Sequence, residues 1–232
     1  VSMANYIVCL AHFCEIHGPS SISCTQYTTP ELKSQYLLPA KSKLQTCASC
    51  KLVLPDDSIN VVTKENNQLG DLKNNRDNSI FISTHYPVSQ KRYTSLMKLV
   101  MKSLSVETTS DLSKPIFYGD IINGYCINKV FKIKDVNARG GERKYSFMVI
   151  SDSESELLSK WDIVSQYLNE FISLIQKQVN LNNSTNSNIF VDNERYLRRS
   201  MNKPRSLVEL TNDAQIFVKI HLWAVELLKD ID

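Results

Sequence analysis

The sequence predicts an α/β (α+β sandwich) fold in which a five-stranded, mostly antiparallel sheet has helices packed on both faces. Two strand-like stretches open the chain, and three more lie together in residues 115–150. Amphipathic helical stretches precede and follow that central group. With 232 residues and a hydrophobic fraction of 42%, the chain is long enough to bury one substantial core.

The first predicted strand covers residues 6–13, which are almost continuously apolar and therefore typical of a central strand covered on both faces. Gly18 and Pro19 turn the chain, so the alternating stretch 20–27 is expected to pair with the first strand as an antiparallel hairpin. Residues 28–78 are rich in polar residues and hold only short apolar patches. We therefore predict that they form a largely disordered insertion.

The central group begins after a short strand or extended segment at residues 79–84 and a helix whose apolar residues recur every three or four positions from Tyr93 to Leu104. Strands are predicted at residues 116–118, 125–134 and 143–150. Two adjacent glycines stand in the turn between the last two strands and allow a sharp bend. We therefore expect Arg139 to project from the tip of a hairpin.

The C-terminal part is predicted to be helical. Ser153 and Glu156 form a capping box, and the apolar spacing that follows predicts one long helix as far as Val179. Residues 183–205, with a basic stretch, are expected to be a flexible linker with solvated charges. Thr211 is expected to cap a last helix that is apolar nearly all round.

Composition excludes several classes of protein. A net charge of +3 is too small for a large nucleic-acid footprint, and the chain has no glycine-rich phosphate loop of its own. It shows no signal peptide and no run of about 18 apolar residues, which indicates a soluble intracellular protein. The six cysteines are irregularly spaced, as expected for reduced thiols in a cytosolic fold.

Cys47 and Cys50 have the spacing of half a zinc site, and His12, Cys14 and His17 near the first turn are conceivable completing ligands. Because a single pair inside a flexible insertion meets half of the requirement for four ligands, we predict no metal and no cofactor. A nucleophilic site of Cys14 with His12 or His17 lacks an identifiable orienting acid or oxyanion donor.

Several motifs resemble those of the folliculins, in particular the N-terminal longin domain of a fungal folliculin. The motifs are His12-Phe13-Cys14-Glu15, His17-Gly18-Pro19, Pro115-Ile116-Phe117-Tyr118-Gly119-Asp120, and the stretch from Phe131 through Ala138-Arg139-Gly140 to Tyr145-Ser146. The resemblance extends loosely to the last helix and fails in the insertion and the basic linker. It implies a longin domain over residues 3–232, and a C-terminal DENN-type domain that is absent from this chain.

The resemblance also implies a function. A folliculin-interacting protein would pair with this chain as a longin–longin heterodimer, and the pair would activate a Rag-family GTPase heterodimer that reports amino acids to the TOR complex. In the family, the arginine that matches Arg139 is the catalytic finger, inserted in trans, so the chain would have no chemistry of its own. The protein would be cytoplasmic and recruited to the vacuolar or lysosomal surface, with peripheral membrane association only through partners.

Physical chemistry agrees with an arginine in that role, because an arginine inserted in trans stabilises charge on the transferring phosphoryl group. Its planar fork suits this better than a lysine ammonium. An arginine in a surface turn is nevertheless most often only a solvated charge. The main alternative is therefore a non-catalytic longin scaffold for heterodimerisation and vesicle traffic or amino-acid permease sorting, and a third class is a thiol or zinc enzyme.

Overall fold

The computed structural model describes residues 5–40, 46–65, 79–105, 111–186 and 203–232. The strands are β1 (Tyr6–Cys14), β2 (Gly18–Thr28), β3 (Val61–Lys64), β4 (Ile80–Thr84), β5 (Ile116–Asp120), β6 (Gly124–Lys134) and β7 (Glu142–Ser151). The helices are α1 (Gln90–Ser103), α2 (Glu154–Ser159), α3 (Trp161–Asn186), α4 (Leu207–Thr211) and α5 (Ile216–Ile231). One sheet in the order β3-β4-β2-β1-β7-β6-β5 contains all of these strands, and every pairing is antiparallel.

The sheet is covered on both faces, as predicted. Alternate side chains of the central strand β1 point to opposite sides: Tyr6, Val8 and Leu10 join a core with residues of α2 to α5, whereas Ile7, Cys9 and Ala11 join a second core with α1. A strand with both faces buried explains why residues 6–13 are almost continuously apolar rather than alternating. The α/β sandwich is thereby confirmed.

The sheet has seven strands, whereas five were predicted. The short segment at residues 79–84 is the full strand β4, and β3 lies inside the segment 28–78 that was predicted to be largely disordered. Only alternate residues of β3 are half-buried, as is usual for an edge strand, so its four residues left no strong apolar signal. Leu52 and Leu54 of the same segment are buried in the core. Residues 41–45 and 66–78 lie outside the described residues.

The long C-terminal helix differs from the prediction at both ends. Ser153 Oγ accepts a hydrogen bond from the backbone N–H of Glu156, as expected, but α2 ends at Ser159, is capped by Lys160, and α3 is a separate helix. Helix α3 continues to Asn186, into the predicted linker 183–205. Asn183 Nδ2 donates to the Lys134 carbonyl at 2.9 Å. Tertiary contacts of this kind stabilise the helix through a polar stretch that has no apolar periodicity.

The last helix is also divided. Ser206 caps α4 by accepting from the Glu209 N–H at 3.3 Å, and Asn212 ends it in a left-handed conformation with φ 50°. Thr211 is therefore the last residue of α4, and its predicted role as the cap of α5 was wrong. Among the described residues, no helix is both long and apolar enough to cross a bilayer.

A buried histidine fastens α5 to the two outermost strands on that side of the sheet. His221 Nδ1 lies 2.6 Å from Ser83 Oγ of β4, and its Nε2 lies 2.7 Å from Thr63 Oγ1 of β3. Burial lowers the pKa of His221 to about 4, because the charged imidazolium loses its hydration there. The native state therefore holds this imidazole neutral.

We expect the free energy of unfolding to fall as the pH falls from about 6.5 towards 4, because the unfolded chain takes up a proton at His221 that the native state excludes. The lowering of the His221 pKa from 6.5 to about 4 corresponds to a loss of about 3 kcal/mol in the free energy of unfolding. Urea unfolding at several pH values measures the effect, and His221→Gln, which cannot ionise, should flatten the curve. An unchanged pH dependence in His221→Gln would contradict this role.

Candidate functional site

The turn between β6 and β7 is closed by its own backbone. The Asp135 N–H donates to the Gly141 carbonyl at 3.0 Å, and the Ala138 N–H donates to the Asp135 carbonyl at 2.9 Å. Gly140 and Gly141 have φ values of +79° and +76°, in the left-handed region that glycine tolerates best. A Cβ at either glycine would meet nothing within 4 Å, so the turn needs these glycines for their backbone conformation rather than for space.

Arg139 stands at the exposed tip of this turn, where it was expected. Its backbone N–H donates to Glu15 Oε1 at 2.6 Å, which ties the tip to the neighbouring β1–β2 turn. Within the described parts of the chain, no hydrogen bond or ion pair engages the guanidinium group. The backbone of Arg139 is thus held, while its cationic end is free to meet another molecule.

The turn rests on a buried ion-pair network centred on Asp135. Its Oδ2 lies 2.5 Å from Arg143 Nε, and its Oδ1 lies 2.8 Å from Arg205 Nη1. Oδ1 also accepts from the Asn137 N–H at 3.0 Å. Burial opposes ionisation of the Asp135 carboxyl, but the hydrogen bond from Arg143 and the nearby guanidinium charges outweigh it, so its pKa lies below the usual range. The carboxylate is therefore ionised at neutral pH.

The network reaches the far end of the predicted linker. Arg143 Nη2 donates to the Lys203 carbonyl at 3.1 Å, and Arg205 Nε lies 3.5 Å from Glu209 Oε2. The expectation of a solvated loop is therefore wrong for Arg205, while residues 187–202 lie outside the described residues. Sequence reasoning missed these residues because Arg205 and its partner Asp135 are far apart in the chain.

A cluster of three thiols and one imidazole lies at the β1–β2 turn. Cys14 Sγ is 3.6 Å from Cys47 Sγ and 3.6 Å from His17 Nδ1, and Cys50 Sγ is 3.5 Å from His17 Nδ1. The ligand atoms of all four residues lie within 4.8 Å of one another. The sequence had suggested Cys47 and Cys50 as half of a site, with His12, Cys14 and His17 as conceivable completing ligands, and the structure brings Cys14 and His17 to that pair. His12 is buried and contacts Cys50 Sγ through Nε2 at 3.2 Å.

The cysteine and histidine cluster and the arginine turn are neighbours. Glu15, whose side chain accepts from the Arg139 N–H, lies in the chain between the cluster residues Cys14 and His17. The remaining cysteines, Cys9, Cys24 and Cys126, are buried in the core on the α1 side.

Comparison with known proteins identifies the family. A profile of the folliculin family, described as "Vesicle coat protein involved in Golgi to plasma membrane transport", matches residues 79–231. The chain is 32% identical over 249 residues to Protein LST7 of Saccharomyces cerevisiae, a match that covers 99% of this chain and 97% of LST7. The chain belongs to the folliculin family. The Arg139 turn lies within the residues that the family profile matches.

Other folliculins are similar over part of their length. Folliculin-like protein bhd1 of Schizosaccharomyces pombe is 27% identical over 165 residues, covering 68% of this chain and 43% of bhd1. Mouse Folliculin is 24% identical over 275 residues, covering 97% of this chain and 45% of the mouse protein. This folliculin-family chain thus spans less than half the length of these two relatives, and a following DENN-type domain stays a prediction.

Proposed function

We propose that this folliculin-family chain is one half of a heterodimeric GTPase activator and supplies Arg139 in trans to a Rag-family GTPase. The observation that carries the proposal is the exposed Arg139 guanidinium, free of partners in the described part of the chain, on a turn that is fixed from below. The chain performs no chemistry of its own in this role, because the nucleotide belongs to the GTPase.

An arginine finger requires a mobile cation on a positioned backbone. Phosphoryl transfer needs little covalent help from protein groups, so catalysis depends on placing charge beside the phosphate oxygens. The Asp135 network holds the base of the turn, Glu15 holds its tip, and the two glycines present no side chain beside Arg139. Because the backbone is already held, the conformational freedom lost when the guanidinium enters a nucleotide pocket is confined to the Arg139 side chain.

Exposed apolar residues on the two adjoining turns support a protein target. Ile16 of the β1–β2 turn is 61% exposed, and Val136 of the β6–β7 turn is 80% exposed. Isolated exposed apolar residues are common, but here both lie on the turns that carry Arg139 and Glu15. A GTPase surface that covers them would exclude water from the guanidinium and strengthen its interaction with phosphate.

The proposed partner is a folliculin-interacting protein that pairs through its own longin domain. Within the described residues, the edge strands β3 and β5 each hydrogen-bond to a single neighbour, which leaves backbone groups for strand addition by a partner. The heterodimer would act at the vacuolar or lysosomal surface in amino-acid signalling to the TOR complex, recruited there through its partners.

A hydrolysis assay tests the proposal. The full-length protein is combined with its longin partner, and the complex is added to a Rag heterodimer loaded with GTP on one subunit at a time. Arginine fingers accelerate hydrolysis by about 10³- to 10⁵-fold, so acceleration in this range is expected for one of the two subunits. Binding of the heterodimer to the GTPase with no acceleration of either subunit would refute activation.

The second candidate is a non-catalytic scaffold for vesicle traffic or amino-acid permease sorting. It is favoured by the description of the family profile, which names transport from the Golgi to the plasma membrane. A scaffold would depend on the sheet and helix surfaces and not on the Arg139 side chain. The scaffold would be favoured if permease sorting survives in an Arg139→Ala strain and the complex with unchanged Arg139 does not accelerate GTP hydrolysis.

Glu15 is expected to position the finger. Glu15→Ala removes the acceptor of the Arg139 N–H, and an exposed, charged hydrogen bond of this kind contributes up to about 1.4 kcal/mol, so we expect GTP hydrolysis to slow by roughly three- to tenfold. Glu15→Gln retains an acceptor oxygen and should lose less. Single-turnover hydrolysis at saturating complex measures the effect, and equal rates for Glu15→Ala and the unchanged protein would exclude this positioning role.

A further inference from the structure

The cysteine and histidine cluster at the β1–β2 turn has the composition of a metal site. We propose that Cys14, His17, Cys47 and Cys50 bind one zinc ion with a structural role. Three thiolates and one imidazole form one of the common ligand sets of structural zinc, and their ligand atoms already lie within 4.8 Å of one another.

Three distances within the cluster match the edges of a zinc tetrahedron. With Zn–S of about 2.3 Å and Zn–N of about 2.0–2.1 Å, tetrahedral angles place two sulfurs about 3.8 Å apart and a sulfur and a nitrogen about 3.6 Å apart. The Cys14 Sγ–Cys47 Sγ distance is 3.6 Å, and His17 Nδ1 lies 3.6 Å from Cys14 Sγ and 3.5 Å from Cys50 Sγ. Three of the six edges therefore have the required length.

Two tight turns bring the ligands together. Cys14 ends β1, and His17 follows three residues later, just before β2 begins. Cys47 and Cys50 are held at the same separation by a turn in which the Cys50 N–H donates to the Cys47 carbonyl at 3.2 Å. Ligand pairs separated by two residues on a turn are typical of structural zinc sites.

The groups around the sulfurs suit thiolate ligands. The Ile16 N–H donates to Cys14 Sγ at 3.4 Å, and Ser49 Oγ lies 3.1 Å from Cys47 Sγ and 3.5 Å from Cys14 Sγ. His12 Nε2, 3.2 Å from Cys50 Sγ, can donate when the ring carries its proton on that nitrogen. Such outer hydrogen bonds orient metal ligands and offset the negative charge that three thiolates concentrate.

The alternatives explain less of the cluster. A disulfide between Cys14 and Cys47 would need their sulfurs at about 2.05 Å and would leave Cys50 and His17 unexplained. A nucleophilic Cys14 with His17 would leave Cys47 and Cys50 without a role. A full set of four protein ligands leaves no open position for substrate, so the site is structural rather than catalytic.

The ion would fasten residues 46–54 to the β1–β2 turn. Residues 46–54 approach the β1–β2 turn through Cys47 and Cys50 and enter the core through Leu52 and Leu54. Zinc would also fix the loop between Cys14 and His17, which contains the Glu15 that holds the Arg139 backbone. This last consequence rests on the proposed function, whereas zinc binding itself does not.

Metal analysis of the full-length protein, purified without chelators, tests the site. We expect about one zinc per chain by elemental mass spectrometry. Cys47→Ser and His17→Asn should lose most of this zinc, whereas Cys24→Ala, which changes a buried cysteine outside the cluster, should retain it. Purified protein without zinc that also fails to take up added zinc would overturn the proposal, as would equal zinc loss in Cys24→Ala.

Cobalt substitution keeps the test decisive if a variant fails to fold. The unchanged protein, stripped of metal and given Co²⁺, should show the visible absorption of a tetrahedral ion, with a thiolate-to-cobalt charge-transfer intensity that corresponds to three sulfurs. Octahedral cobalt bands, or intensity for fewer than three sulfurs, would contradict the ligand set.

Bound zinc without GTPase acceleration would refute the proposed function alone, and acceleration by metal-free protein that takes up no zinc would refute the zinc site alone.

Discussion

Replacement of Arg139 by alanine is expected to reduce the rate of GTP hydrolysis by the target GTPase about 10³- to 10⁵-fold. This is the factor by which an arginine finger raises the rate of hydrolysis. The physical reason is that the guanidinium stabilises charge that develops on the phosphate oxygens only in the transition state. The side chain has no partner within the described residues, so its removal should leave the fold and the heterodimer intact.

Single-turnover hydrolysis with saturating complex measures this effect, and size-exclusion chromatography shows that assembly is unchanged. Arg139→Lys keeps the charge but lacks the planar fork, so most of the acceleration should also be lost. Arg92→Ala on α1 is the matched control, because it removes an arginine outside the two turns, and it should hydrolyse at the unchanged rate. Full activity in Arg139→Ala would leave this residue without a catalytic role.

The second large effect is expected for the buried carboxylate beneath the turn. Asp135→Asn should lower the free energy of unfolding by about 3–5 kcal/mol, because it leaves the buried Arg143 guanidinium without its counter-charge. Asp135 is 0% and Arg143 is 8% exposed, so solvent screens this pair little. Hydrolysis should fall as well, because the base of the Arg139 turn loses its anchor.

Chemical denaturation measures the loss, and a double-mutant cycle identifies its cause. Arg143→Met in the Asp135→Asn background removes the stranded charge, so the double variant should be more stable than Asp135→Asn alone. If the double variant is less stable by the sum of both single losses, the two side chains are not coupled. Lys132→Met, which changes an exposed ion pair with Glu142, is a control with little expected effect.

The same carboxylate should contribute to stability against acid. Its pKa in the native state lies below the usual range, so its contribution is complete above the ordinary aspartate value of about 3.9 and is lost as the pH falls through the lower native value. Asp135→Asn should therefore lose stability less steeply than the unchanged protein below about pH 4. If the free energy of unfolding falls equally steeply in both proteins below about pH 4, the ionised state assigned to Asp135 is wrong.

Local sequence patterns were sufficient for much of the fold and for the placement of Arg139. The apolar run 6–13 predicted the central strand, and the two glycines predicted the bend that presents Arg139, because both depend on neighbouring residues. The edge strand β3 was missed, since its four residues stand in a polar segment. The break at Lys160 was missed because the apolar spacing continues on both sides of it.

Contacts between distant residues were not predictable in this way. Arg205 lies 70 residues after its partner Asp135 in the chain. A charged residue in a basic stretch gives no sign of which distant residue it will pair with. The pair Cys47 and Cys50 was recognised as half of a site with His12, Cys14 and His17 as conceivable completing ligands, but the sequence did not show that a polar segment folds onto the β1–β2 turn and brings Cys14 and His17 to the pair. Such sites depend on tertiary structure that periodicity does not encode.

The most direct test of Arg139 as a finger is binding of the heterodimer to the GTPase in the presence of GDP and aluminium fluoride, which together mimic the transferring phosphoryl group. A residue that acts in the transition state should strengthen this complex far more than the complex with GDP alone. We expect the unchanged protein to bind the aluminium fluoride state much more tightly than the GDP state, and Arg139→Ala to lose that difference. Equal preference for the aluminium fluoride state in both proteins would contradict the assignment of Arg139.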